Sequence, residues 1–201
     1  MLIDYEKFTF NETLMDQLIA FLNSIHELNP DTIEYLYKNL KRIELPKKHF
    51  VLTQGHICEN IYFVEKGLLR CYYKKFGKEI SSWFMQEGDV IVSVVSFFNQ
   101  VESSENIQAI EDSVLYYLNY KELQFLYNNF HEFNFVGRIL TEKYYQLSEQ
   151  RLYSIRMQRA HDRYHLLLEQ FPQFILRVPS KYIASYLGIT EETLSRIRGQ
   201  K

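Results

Sequence analysis

In the run Thr190, Glu191, Glu192, Thr193, Ser195 and Arg196, hydroxyl, carboxylate and guanidinium groups lie close together near the C-terminus. An arginine donates two hydrogen bonds to guanine, a carboxylate accepts from the cytosine amine, and serine or threonine serves either base edge. These groups can act together only from one face of a helix. The spacing supplies that face, because Leu194 and Ile197 form an apolar stripe on the other side. Upstream, Ile183, Ala184 and Leu187 recur at helical spacing, and Gly188 suits the left-handed residue that ends a helix. Thr190 can cap the next helix, small Ala184 permits a close crossing, and Ile189 fits the corner. Two short helices joined by a tight turn read as a helix-turn-helix.

A plain helical hairpin with a charged face would show the same spacing, so charge distribution matters. The net charge of the 201 residues is -2, but residues 151–201 carry +5 and the preceding 150 carry -7. The basic end coincides with the paired helices, as contact with phosphates requires. Double-stranded DNA is therefore the expected partner.

The elements that must position this reading head come earlier. Leu14, Leu18, Ile19 and Leu22, then Ile33, Leu36, Tyr37 and Leu40, predict two amphipathic helices punctuated at Asn29-Pro-Asp31. From Lys41 to about Leu118 short apolar segments alternate with turns. They are Arg42–Pro46, His49–Leu52, Asn60–Glu65, Gly67–Tyr73, Lys78–Met85, Asp89–Val92 and Ile107–Ile110, with Gly55, Gly67, Gly77 and Gly88 at the corners. Strands so spaced predict a double-stranded, jelly-roll-like β-roll. From about Glu132 to Ser154, Val136, Ile139, Leu140, Lys143, Tyr144, Leu147 and Arg151 follow a three-and-four spacing. A long helix of this kind needs a surface for its stripe. A two-fold dimer reading palindromic DNA would provide one, which makes these residues the candidate homodimer interface. A further helix is expected from Met157 to Gln170, ending before Phe171-Pro172.

The fold class is thus α+β in three parts: a sensor roll over 1–131, a dimerisation helix over 132–154 and a reading head over 155–201. Sixteen Tyr and fifteen Phe suit β structure without specifying a ligand. Cys58 and Cys71 cannot build a disulfide framework, and a reducing cytoplasm is the expected compartment. No stretch is apolar and long enough for a membrane span, and Met1–Lys7 lacks the pattern of an export signal. His161 and His165 share a helix face but have no evident third ligand. His49, His56 and Cys58 resemble a cupin's metal-binding run with Cys58 where a histidine should stand, so no metal and no cofactor are assigned. Two other readings stay open: a ligand-binding or protein-interaction roll that no longer reads DNA and, more remotely, a cupin-like metalloenzyme.

With roll, long helix and helix-turn-helix in that order, the chain resembles the Crp/Fnr family of bacterial transcription regulators. The resemblance rests on Ile61–Arg70, Glu87-Gly88-Asp89 and Ile183–Ile197, and the last segment looks most like Bacteroidota-type variants. It implies Thr190, Glu192 and Arg196 on DNA, with Glu191 where an arginine is often found, and it implies RNA polymerase as a further partner. Relatives that bind cyclic nucleotides hold the ribose with a Gly-Glu pair and the phosphate with an Arg-Ser or Arg-Thr pair. Here those pairs fall on Val92-Ser93 and Ser103-Ser104, and no arginine lies between Arg70 and Arg138. Cyclic AMP is therefore not the expected effector. Another small molecule remains open, with Tyr62, Trp83, Phe84, Ser93, Ser103 and Ser104 as pocket candidates. The family's winged hairpin is expected to be missing, because the sequence runs out at Gln200-Lys201.

Overall fold

The computed structural model describes residues 14–199. Residues 1–13, the side chain of Leu14, and Gln200 and Lys201, on which the wing expectation bears, lie outside the described residues. Two helices, α1 (Leu14–Ile25) and α2 (Pro30–Asn39), precede the roll. Leu18, Ile19 and Leu22 are buried along α1 and Leu36 along α2, as their spacing predicts.

The roll contains β1 (Lys41–Leu45), β2 (Phe50–Leu52), β3 (Asn60–Lys66), β4 (Leu69–Lys75), β5 (Lys78–Met85), β6 (Val90–Ile91), β7 (Glu105–Ala109) and β8 (Ser113–Asn119). They form two antiparallel four-stranded sheets, ordered β1-β8-β3-β6 and β2-β7-β4-β5. Inward residues of both sheets, including Val64, Leu69, Cys71, Ile91, Ile107 and Leu115, share one core. A short helix, α3 (Val94–Asn99), interrupts the strands. The corners at Gly55, Gly67, Gly77 and Gly88 all have positive φ. Two elements escape the sequence reading. β8 does not alternate, because Ser113-Val-Leu-Tyr-Tyr-Leu-Asn119 packs on both faces as the second strand of its sheet. The φ preference of α3 is carried by β-branched valines, which read as strand.

After the roll come α4 (Tyr120–Asn129), with a capping box between Asn119 and Glu122, and α5 (His131–Met157). The expected boundary at Met157 is displaced: Gln158 and Arg159 are extended, and the next helix, α6, runs Ala160–Gln170. A one-turn helix α7 (Phe174–Arg177), also absent from the sequence reading, leads into α8 (Ser180–Leu187) and α9 (Glu191–Gly199). A second apolar core holds this end together and takes Leu68, Phe84 and Ile110 from the roll.

Gly67 has a φ of 103°, and a Cβ there would collide with the side chain and backbone of Ser113. Gly67→Ala is expected to destabilise the protein by roughly 2–4 kcal/mol, read as a lowered urea midpoint, whereas Gly77→Ala, with open space around it, should cost about 1 kcal/mol.

Candidate nucleic-acid interface

The turn between α8 and α9 is built by local chemistry. Gly188 sits at φ 67° and ψ 35°, and its N–H and that of Ile189 donate to the carbonyls of Ser185 and Ala184 at 3.1 and 3.0 Å. This is the Schellman arrangement, with Ile189 packed against the second core as its apolar contact. Thr190 Oγ1 accepts from the Thr193 N–H at 3.2 Å and caps α9. Ile183, Ala184, Leu187, Leu194 and Ile197 are all buried.

That packing leaves Thr190, Glu191, Glu192, Ser195 and Arg196 exposed on one side, with Thr193 half-buried beside them. Among the described residues no hydrogen bond or ion pair ties down Arg196. The Thr190 hydroxyl holds the Glu192 carboxyl below its usual range, so its charge persists at neutral pH. Arg198, which the sequence reading passed over, donates to Ser180 Oγ at 2.9 Å and ties the end of α9 to the start of α8.

The head does not hang free. Strand β5 is the last of its sheet, and α8 lies along it. Ser185 Oγ donates to the Glu79 carbonyl at 3.0 Å and accepts the Ser81 N–H at 2.9 Å, so one hydroxyl serves both kinds of open backbone group on that edge. Beside it the buried Arg70 guanidinium is stacked between Tyr72 of the roll and Tyr182 of α8, at 4.3 and 3.7 Å from the ring centres. Arg70 also donates to Ser81 Oγ and Glu79 Oε2, at 2.8 and 2.7 Å. At the far side Arg177 forms a two-bond fork with Glu87 at 2.8 Å and a further pair with Glu111. Burial works to raise the Glu87 carboxyl, but the Arg177 hydrogen bonds and charge together with backbone N–H donors, that of Gly67 among them, hold the group below its ordinary value.

The expected interface on α5 needs correction. Val136 is fully buried in the chain's own core, and Leu140 and Tyr144 pack against it. The Tyr144 hydroxyl accepts the Val90 N–H at 2.7 Å, while Lys143 and Leu147 face the β5–β6 turn. Arg151 bonds the carbonyls of Ser82 and Tyr186 and stacks on the Tyr186 ring at 3.4 Å. The stripe therefore covers the molecule's own roll and head, and Ile139 alone of the set stands on the outer side, 36 % exposed. Phe135, Tyr145, Leu152 and Tyr153 are also exposed, a second apolar face that the sequence spacing hid behind the first.

The pocket candidates separate as well. Ser93 and Ser103 meet, with their hydroxyls 3.1 Å apart, and Ser93 donates to Glu105 Oε1 at 2.7 Å. Glu105 stands outside the sequence-based candidates, because a phosphate site calls for a cation and this group is a carboxylate. Burial raises its carboxyl despite bonds from Ser93 and Tyr73. Ser104 is exposed, and Tyr62 is buried in the core with its hydroxyl bonded to Asn60. Phe84 points out of the roll, against Phe174 and Tyr186 at 5.7 and 5.3 Å, while its neighbour Trp83 faces α5. Both border the space between β5 and α5 rather than the interior of the roll where Ser93 and Ser103 meet. Cys58 and Cys71 are buried, and burial pushes both thiols up, away from reactivity.

Residues 42–130 match the family model of the cyclic nucleotide-binding domain. No curated protein matches the chain. Among solved structures, FixK2 from Bradyrhizobium japonicum is similar at 20 % identity, covering 80 % of this chain and 83 % of its own, with a TM-score of 0.68. The c-di-GMP responsive regulator CLP of Xanthomonas campestris matches at 17 % identity over 86 % of this chain and 91 % of its own, with a TM-score of 0.64. A transcriptional regulator of the Crp/Fnr family from Eubacterium rectale matches at 18 % identity over 89 % and 85 %, with a TM-score of 0.68. The fold, roll and helical end together, is that of Crp/Fnr regulators.

Replacing Arg177 with Met removes the fork to Glu87 and Glu111. The expected result is faster amide exchange in α8 and α9, with the roll unchanged, for a loss of about 1 kcal/mol after allowance for solvent screening. Because the Glu87 carboxyl is depressed, its contribution persists above the ordinary carboxylate range and is lost as pH falls through the lowered value; exchange measured down a pH series in wild type should reproduce the variant's pattern only below that point.

Proposed function

We propose that this protein is a dimeric, sequence-specific DNA-binding transcription regulator, with residues 1–131 as sensor, 132–154 as the dimerising segment and 155–201 as reading head. The observation that carries the reading is the capped helix α9, which buries Leu194 and Ile197 and presents Glu191, Glu192, Ser195 and Arg196 outward. Such a helix enters a major groove, and the surrounding excess of basic residues meets the phosphates. The similarity of the fold to FixK2, CLP and the Eubacterium rectale regulator supports the same role.

The second copy docks on the outer face of α5, through Phe135, Ile139, Tyr145, Leu152 and Tyr153, rather than on the inner stripe. Cyclic AMP is not the effector in this reading. Where cyclic-nucleotide-binding relatives hold a phosphate with a guanidinium, Ser93 here donates to the Glu105 carboxylate while Ser103 bonds Ser93 and the Glu105 backbone, and a cyclic phosphate beside that carboxylate would meet like charge. The partner beyond DNA is RNA polymerase, and the setting is cytoplasmic. Among the described residues no helix is long and apolar enough to cross a membrane.

Selection from random duplexes should enrich a palindromic sequence, and Arg196→Ala should flatten that preference by 10- to 100-fold while leaving nonspecific, salt-dependent binding nearly unchanged. An equal loss on every duplex would remove the base-reading role of Arg196. In sedimentation, the Ile139→Glu, Leu152→Glu pair should convert the dimer to monomer at micromolar concentration; a dimer that survives both changes would place the interface elsewhere.

A further inference from the structure

Where the roll, α5 and the reading head meet, a groove of about 520 Å³ opens between β5, the β5–β6 turn, α5 and the segment before α7. An adjoining cavity of about 60 Å³ shares Trp83, Phe84, Leu147 and Phe171 with it and runs inward to Arg151 and Arg163. At about 10–15 Å³ per water-sized group, the inner cavity has room for a carboxylate or phosphate, and the outer groove is the size of a small-ligand site.

The charge at this joint is unbalanced. No aspartate or glutamate lines the inner cavity. The ion pairs among the described residues involve other cations, and neither Arg151 nor Arg163 takes part in one. Arg151 donates through Nε and Nη2 to the carbonyls of Ser82 and Tyr186, and Arg163 donates through Nε and Nη1 to those of Leu187 and Gln158, the latter two at 3.0 and 2.6 Å. Arg163 Nη2 has no acceptor among these bonds, and beyond the two carbonyls Arg151 has only the Tyr186 side chain beside it, with no carboxylate. Both guanidiniums are held in place by backbone and are half-buried. Burial, together with the like charge of Arg163, shifts Arg151 downward, as expected of cations confined without a counter-ion. On the groove side Glu87 is already engaged by Arg177 and the Gly67 N–H, and Asp89 by the Gln86 N–H, Tyr144 and the nearby charge of Lys143.

We infer that this joint binds a small aromatic or heterocyclic anion, its ring against Trp83 and Phe171 and its carboxylate or phosphate at Arg151 and Arg163. A desolvated anion there would gain charge-assisted bonds from donors already fixed in position. Trp83 belongs to the roll, Leu147 and Arg151 to α5, and Arg163 and Phe171 to the head, so an occupant touches all three parts and favours one arrangement of them. In that respect the inference deepens the regulatory reading and rests on it; the binding itself does not.

Trp83 is the single tryptophan of the chain, so its emission reports the site directly. The full chain is titrated with 2-naphthoate, 2-naphthyl phosphate and 2-naphthylmethylamine, which share a ring system and differ in charge. The expected result is a saturable change in Trp83 emission with one or both anions and none with the amine; the preferred anion distinguishes a carboxylate from a phosphate ligand. Arg163→Gln should weaken binding at least tenfold, and Gln150→Glu, which sets a rival carboxylate on an exposed position of the cavity wall, should do so without burdening the fold. No saturable response, an equal response to the amine, or anion binding that both variants leave unchanged would overturn the site. Retention of a selected palindromic duplex is measured in parallel. Anion binding without DNA binding strikes the regulator reading alone, and DNA binding without anion binding strikes this site alone.

Discussion

The arrangement depends on how the second sheet of the roll is finished. A sheet that ends in an open strand leaves a row of backbone donors and acceptors unpaired, and natural folds close or blunt such edges. Here the closing element is α8. Ser185 answers both the Glu79 carbonyl and the Ser81 N–H, Tyr182 covers the buried Arg70, and Leu68, Phe84 and Ile110 of the roll join the apolar core of the head. The head is thus part of the completion of the sensor. A change in the shape of β5 must be felt at α8, and through the tight turn at Gly188 it reaches α9. This gives the roll and α9 a shared mechanical element, which is what the proposed coupling between them requires.

What was legible in the sequence follows the range of the interactions that decide it. The helix-turn-helix is written in local chemistry: Gly188 for the left-handed turn, Thr190 for the cap, Leu194 and Ile197 for the stripe. The corners of the roll were equally plain, since positive φ at Gly67 and Gly88 is a demand on a single residue. The face of α5 was not legible. Its 27 residues carry two apolar stripes, and periodicity reports that stripes exist without saying which one meets the chain's own roll. Val136 and Arg151 went to the wrong side for that reason. Glu105 had no local signal, because its role emerges only when Ser93 and Ser103, ten residues apart, are brought to 3.1 Å.

Two kinds of polar burial can be distinguished in the molecule. Arg70 has its carboxylate in Glu79 and its aromatic neighbours on both sides, and its charge is largely answered within the chain. Arg163 is answered by carbonyl dipoles and Arg151 by carbonyl dipoles and the Tyr186 ring, which orient a guanidinium without neutralising it. The contrast is one of charge pairing, since Arg70 too keeps one buried nitrogen, Nη2, without a hydrogen-bond partner among the described residues.

The link between α5 and α6 is only Gln158 and Arg159, both in extended conformation, and Arg163 reaches back to bond the Gln158 carbonyl. So short and tethered a joint offers very few torsions through which the two helices could swing. In the proposed dimer, the distance between the two α9 helices would follow from the register at which the two α5 helices meet, not from slack in the polypeptide. A one-residue insertion at this joint would rotate each head as a rigid body and alter the separation of the half-sites it can straddle.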